Sequence, residues 1–270
     1  YSLSAVWELA TYSIFYAPNT AMAVANMPGT QTDVPYTSMA TMSGLVPTRA
    51  GFTFVHWDTA DVPGILSLDP ASTFAMPNND VTFVAIWEPD LTPVYYHANG
   101  GQGGTVEDGP FATLTTVTVA GNGFTRPGYR FIGWSTTPNG GVSAQPGDTF
   151  MMPVLQVNYY AQWEQEFYTV TYIVNGGTTA GLDGAVPYAE YTNLAYGDAM
   201  PVPADPAQDG YNFDGWTTAV PATVPEGGLT IYGTMTAVTE PEVIPEEATP
   251  LAGASWALLN LILAIATALG

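Results

Sequence analysis

Two histidines, His56 and His97, are the only imidazoles in a chain of 270 residues that has no cysteine and no lysine. A metal or acid–base site built on them needs partners at related positions. The two histidines stand in unrelated surroundings, so a structural or exposed role is expected for both. Without cysteine there are no disulfides, thiolate zinc sites or cysteine nucleophiles. The run Asn99–Gly104, "NGGQGG", is glycine-rich but lacks the Lys-Ser/Thr and helix of a phosphate cradle, so it reads as a turn. The acidic strings "PNNDVT" (from Pro77) and "EDG" (from Glu107) offer oxygens to a weakly held calcium, but without the spacing of a calcium-binding loop. No nucleophile elbow, HExxH pair or P-loop occurs. No residue is therefore assigned a catalytic, cofactor or metal role, and the chain is expected not to be an enzyme.

Charge narrows the partners. There are 24 acidic residues against three arginines (Arg49, Arg126, Arg130), a formal charge of −21. Such a surface lacks the cations that displace counterions from phosphate backbones, which excludes nucleic acid and disfavours heparin-like and anionic-lipid partners. The hydrophobic fraction of 47%, with 16 Tyr, 11 Phe and 7 Trp, supports packed cores rather than a disordered acidic tail. The 51 Pro and Gly residues imply many turns and few long helices.

The remaining candidates for chemistry are the tryptophans, and these reveal the organisation. "GFTFVHW" (Gly51–Trp57), "GYRFIGW" (Gly128–Trp134) and "GYNFDGW" (Gly210–Trp216) are near-copies. Each is followed by a second landmark: "VTFVAIWE" at Val81, "VNYYAQWE" at Val157 and "LTIYGTMT" at Leu229. A further copy, "YSLSAVWE", opens the chain. Each is preceded by "YSIFYAPN" (Tyr12), "PVYYHANGG" (Pro93) or "YTVTYIVNGG" (Tyr168). A period of about 75–80 residues is too long for a solenoid unit and fits a small domain. The expected division is the last strand of a preceding repeat (1–8), repeats at 9–88, 89–164 and 165–237, an acidic proline-rich linker (238–250) and an apolar segment (251–270). The start at Tyr1 rather than Met is read as that of a piece of a longer protein.

The elements follow from periodicity. In the closing strand Leu3, Ala5, Trp7; Phe83, Ala85, Trp87; Tyr159, Ala161, Trp163; and Ile231, Gly233, Met235 alternate large–small–large, as in a half-buried strand whose small residue admits a close neighbour. Met235 replaces tryptophan as a volume-tolerant apolar residue. In the middle strand Tyr129 and Phe131 share a face while Trp134 falls on the other. A bulge at Gly133 and Gly215 would turn the tryptophan inward, with His56 at that place in the first repeat. The tryptophans offer an aromatic sugar platform in principle, but recurrence and alternation favour core. A short helix is expected either after each tryptophan, near "FAMP" (Phe74) and "FMMP" (Phe150), or between the first two strands.

The order strand–NGG, GYxFxGW, FxMP, YAxWE resembles the B repeat of internalin-type bacterial surface proteins, the Listeria–Bacteroides repeat, over about 230 of the 270 residues. Ala-Pro-Asn for the Asn-Gly-Gly turn in the first repeat, the missing last tryptophan in the third and the absent lysines are departures. The resemblance implies a strand-dominated α+β fold of tandem small β-grasp-like domains, four or so strands with one short helix each, on the outer surface of bacteria. Residues 251–270 carry no charge and would span about 30 Å as a helix. Trp256 near the segment's start suits an interface, and Asn260 is its one strongly polar side chain. A single-pass anchor is favoured over a buried helix, with the repeats outside. The expected role is a cell-surface stalk or spacer connected with adhesion. The alternative is a ligand-binding module for a host or neighbouring-cell protein strand or glycan.

Overall fold

The computed structural model describes residues 1–239 except 2, 63, 65, 66 and 218. The acidic linker beyond residue 239 and the apolar segment 251–270 lie outside the described residues. Among the described residues no helix is long and apolar enough to cross a membrane.

Three four-stranded sheets are built alike. The first uses β1 (Thr11–Ala17), β2 (Gln31–Pro35), β4 (Phe52–Asp58) and β6 (Val81–Pro89), in the order β2-β1-β6-β4. Between them β3 (Met39–Thr41) and β5 (Thr73–Ala75) form a two-stranded ribbon. The second sheet uses β7 (Leu91–His97), β8 (Thr105–Ala112), β10 (Tyr129–Ser135) and β12 (Val157–Gln165), in the order β10-β12-β7-β8. Its ribbon is β9 (Thr116–Thr118) with β11 (Thr149–Met151). The third uses β13 (Phe167–Asn175), β14 (Ala189–Ala195), β15 (Tyr211–Trp216) and β16 (Leu229–Ala237), in the order β14-β13-β16-β15. The chain divides into two compact units. One is Tyr1–Thr169 with Thr192–Ala199 and Thr223–Gly228, and the other is Val170–Tyr191, Met200–Ala222 and Leu229 onward.

In each sheet the first and last strands lie side by side and parallel, with Tyr16 opposite Phe83, Tyr96 opposite Tyr159 and Tyr172 opposite Ile231. A parallel pair needs a long crossover, most often helical. Here the expected short helix is absent among the described residues, so the helix-bearing β-grasp expectation is corrected. Phe74 and Phe150, expected near it, lie instead in the ribbon strands β5 and β11. The Pro- and Gly-rich crossover sequence disfavours a helix, and ribbon pairing satisfies its backbone groups instead.

The alternation expected of the closing strand holds. Phe83, Ala85, Ala161 and Ile231 are fully buried, as are Ile14, Val94 and Val170 on the adjacent parallel strands. Burying the valine, isoleucine and phenylalanine side chains among them stabilises by about 1.5–3 kcal/mol each. The opening copy differs: Leu3 and Trp7 are exposed, at 101% and 90%. The face they share in sequence packs on nothing among the described residues.

Candidate functional site

The middle-strand tryptophans pack in or against the core of each repeat. The middle strand carries a register shift in every repeat, between Phe54 and His56, Phe131 and Gly133, and Phe213 and Gly215. The extra residue rotates the next side chain inward, and Trp57 and Trp134 have no exposed surface. Each tryptophan then sits opposite the small residue of the closing strand: Ala85, Ala161 or Gly233. Gly133 and Gly215 take left-handed φ values of +141° and +99°, whereas His56 makes the same bulge without one.

Around each of these tryptophans the same two rings recur, a tyrosine and a phenylalanine. Tyr16, Tyr96 and Tyr172 approach Trp57, Trp134 and Trp216 at centroid distances of 5.0, 4.8 and 4.8 Å. Phe54, Phe131 and Phe213 approach the same tryptophans at 5.2, 5.0 and 5.0 Å. These are the tilted, edge-to-face arrangements that ring quadrupoles favour. Burial raises the pKa of all three tyrosine hydroxyls above the ordinary value. The backbone hydrogen bonds to Tyr16 and Tyr96 oppose the rise; Tyr191 adds to it at Tyr172.

Each hydroxyl has a role. The N–H groups of Ser43 and Ala120 donate to Tyr16 and Tyr96, both at 2.8 Å. In the third repeat the equivalent residue is Pro201, which has no N–H, and Tyr172 instead donates to the Pro201 carbonyl at 2.8 Å. The closing tryptophans also have a polar task. Trp87 and Trp163 donate to the carbonyls of Pro18 and Ala98 at 2.8 and 2.9 Å, tying the end of the opening strand. Met235 keeps the apolar character in a smaller side chain but loses that tie, a consequence that apolar reasoning missed.

The remaining candidates take part in local pairing, turns and hydrogen bonds. His97 bonds Thr105 Oγ1 through Nδ1 and Asn158 Oδ1 through Nε2, each at 2.9 Å, and stacks on Tyr160. His56 stands in the β4–β6 ladder opposite Ile86. Asn99 and Gly100 both take left-handed φ (49° and 89°), as a tight turn requires. Asp80 of "PNNDVT" accepts from the Ser13 N–H at 2.8 Å. Among the described residues no cluster of three or more His, Asp or Glu side chains could hold a metal ion.

Composition alone hid the arginines. Arg49 and Arg126 occupy the same place in "TRAGF" and "TRPGY", which recurrence in a chain with three cations could have flagged. Their guanidinium carbons stack 3.5 Å from the Phe52 centroid and 3.9 Å from the Tyr129 centroid. The ion pair among the described residues is Arg130 with Glu164.

The glycine after each arginine marks a junction. The Asp90 N–H donates to the Gly51 carbonyl at 2.9 Å, while the Asp90 carbonyl accepts from the Thr113 N–H at 2.9 Å. A β-carbon on Gly51 would lie 2.8 Å from Thr113 Cγ2 and 3.0 Å from Val154 Cγ2. Gly128 repeats the pattern within the same compact unit: its carbonyl accepts from Glu166, and a β-carbon would lie 2.6 Å from Tyr196 Cβ.

The family profile described as the Listeria-Bacteroides repeat domain matches residues 12–86, 93–162 and 168–228. A protein of Evansella cellulosilytica, provisionally named a Gly-rich membrane protein, is 32% identical over 176 residues, covering 62% of this chain and 19% of its own. A second from that organism, provisionally named a membrane protein, is 24% identical over 218 residues, 80% of this chain and 29% of its own. Internalin H of Listeria monocytogenes is 28% identical over 138 residues, 45% of this chain and 23% of its own. The chain thus spans under a third of the length of these curated relatives.

Proposed function

This chain belongs to the Listeria–Bacteroides repeat domain family, and from that premise we propose that it is a non-enzymatic spacer in a bacterial surface protein. The observation that carries the reading is the threefold core: the recurring Tyr, Phe and Trp residues meet at nearly the same ring distances in every repeat. Residues repeated to build a core extend a chain without adding chemistry, and weak contacts along it can sum through avidity. The names of the Evansella relatives, both membrane proteins, support a surface location. Residues 251–270, charge-free after an acidic linker, serve in this reading as the single-pass anchor, with the repeats outside and adhesion as the setting.

The test uses the full chain, a chain ending at Thr239 and one lacking 89–164. The full chain is expected to float with lipid vesicles, the shortened one to stay in solution, and the repeat deletion to reduce the end-to-end distance in scattering. A full chain that stays monomeric and soluble without detergent overturns the anchor. An unchanged end-to-end distance overturns the spacer.

A further inference from the structure

The position that holds Arg49, Arg126 and Gln208 is half-buried in all three repeats and differs in its polar partners. In the first repeat Arg49 packs on Phe52 and donates from Nη2 to Met22 Sδ at 3.3 Å. In the third, Gln208 Oε1 accepts from the Thr178 N–H at 3.0 Å and the Thr179 hydroxyl at 3.2 Å, and its Nε2 donates to Thr178 Oγ1 at 2.7 Å. In the second, Arg126 lies over Tyr129 with no carboxylate at ion-pair distance among the described residues. It borders a cleft of about 430 Å³ whose other walls include Phe131, Trp163, Asn122 and Glu226. The residues lining this cleft all belong to one compact unit.

The cleft combines three kinds of contact. Tyr129, Phe131 and Trp163 are each half-buried, so their rings are partly open. A guanidinium stacked on a ring keeps its N–H edge free to donate in its own plane. Glu226 is exposed; its Oε1 accepts a long bond, 3.4 Å, from the Gly128 N–H, which leaves its other oxygen as an acceptor. Paired hydroxyl groups accept from the guanidinium and donate to the carboxylate, while the C–H face of a pyranose ring lies on the aromatic floor. An anion meets Glu226 and a chain of net charge −21; a cation meets Arg126. The volume falls within the range of small-molecule sites, about 300–1,000 Å³. We propose that the Arg126–Glu226 cleft of the second repeat binds a neutral saccharide. This site is independent of the spacer reading.

The experiment titrates the full chain, in detergent if required, with neutral hexasaccharides (α-1,4-glucan, β-1,4-glucan and β-1,4-mannan) and with hexagalacturonate, following tryptophan fluorescence and heat. Saturable millimolar or tighter binding of a neutral hexasaccharide is expected. Arg126→Gln, which installs the residue found at this place in the third repeat, should weaken it at least about tenfold, the loss of a charged hydrogen bond. Glu226→Gln, at an exposed position, should weaken it as well and serves alone if Arg126→Gln fails to fold. Arg49→Gln should leave it unchanged. No binding of any neutral hexasaccharide, tighter binding of hexagalacturonate, or binding indifferent to Arg126→Gln and Glu226→Gln each overturns the proposal.

Discussion

Tyr16, Tyr96 and Tyr172 show how one residue serves one place with different hydrogen-bond roles. A hydroxyl is both donor and acceptor, so it takes a backbone N–H where Ser43 and Ala120 offer one and gives its own proton where Pro201 cannot. Serine, alanine and proline are thus all tolerated at the facing position. The same hydroxyls set a pH limit. Burial raises their pKa in the folded state, so the unfolded chain loses these protons first. Their contribution to stability is fully present below the unfolded value of about 10 and is lost as pH rises through the higher folded values. Alkaline titration should show a late tyrosinate absorbance step coinciding with loss of the core's near-ultraviolet dichroism. Ionisation of all 16 tyrosines at the unfolded value with the dichroism intact would contradict this.

At the scale of elements, the bulge and the junction glycines do the positioning. Gly51, Gly128 and Gly210 share nearly one backbone conformation, φ of +76°, +76° and +77°. Their surroundings differ: added β-carbons at Gly51 and Gly128 meet Thr113 and Tyr196, while one at Gly210 meets nothing within 4 Å. All three alanine variants carry the left-handed penalty, about 1–2 kcal/mol. Gly51→Ala and Gly128→Ala carry a further collision that backbone movement must relieve. Both should therefore lower the melting temperature more than Gly210→Ala. Equal losses by calorimetry would show that only the backbone conformation matters at the junction.

For the whole molecule, charge is the dominant long-range term. With 24 carboxylates against three guanidiniums, one of them ion-paired among the described residues, self-repulsion opposes the compact state. Salt shortens the Debye length from about 30 Å at 0.01 M to about 3 Å at 1 M. The melting temperature of the chain ending at Thr239 should rise by several degrees between those limits, and sodium chloride should act as strongly as a chloride of a larger univalent cation. A melting temperature that is flat or falling over this range would mean that local hydrogen bonds, such as that of Asp80 with Ser13, outweigh the net charge.

Periodicity alone determined much of this protein. The three repeats, their alternating closing strands, the buried tryptophans and the bulge before them could be read because each is a local pattern repeated at fixed spacing, and the family match covers the same stretches. Other features required the tertiary structure. The parallel pairing of first and last strands joins residues 59 to 67 apart, such as Val170 with Leu229 and Ile14 with Val81, which no short window of sequence contains. The ribbon replaced the expected helix because Phe74 found a strand partner at Ala40. The indole bonds of Trp87 and Trp163 were hidden because a tryptophan's burial shows in a hydropathy pattern while its N–H partner, a distant carbonyl, does not. The cleft at Arg126 was invisible for the same reason: its walls come from Asn122 to Glu226, and only folding brings a guanidinium, a carboxylate and three rings to one surface.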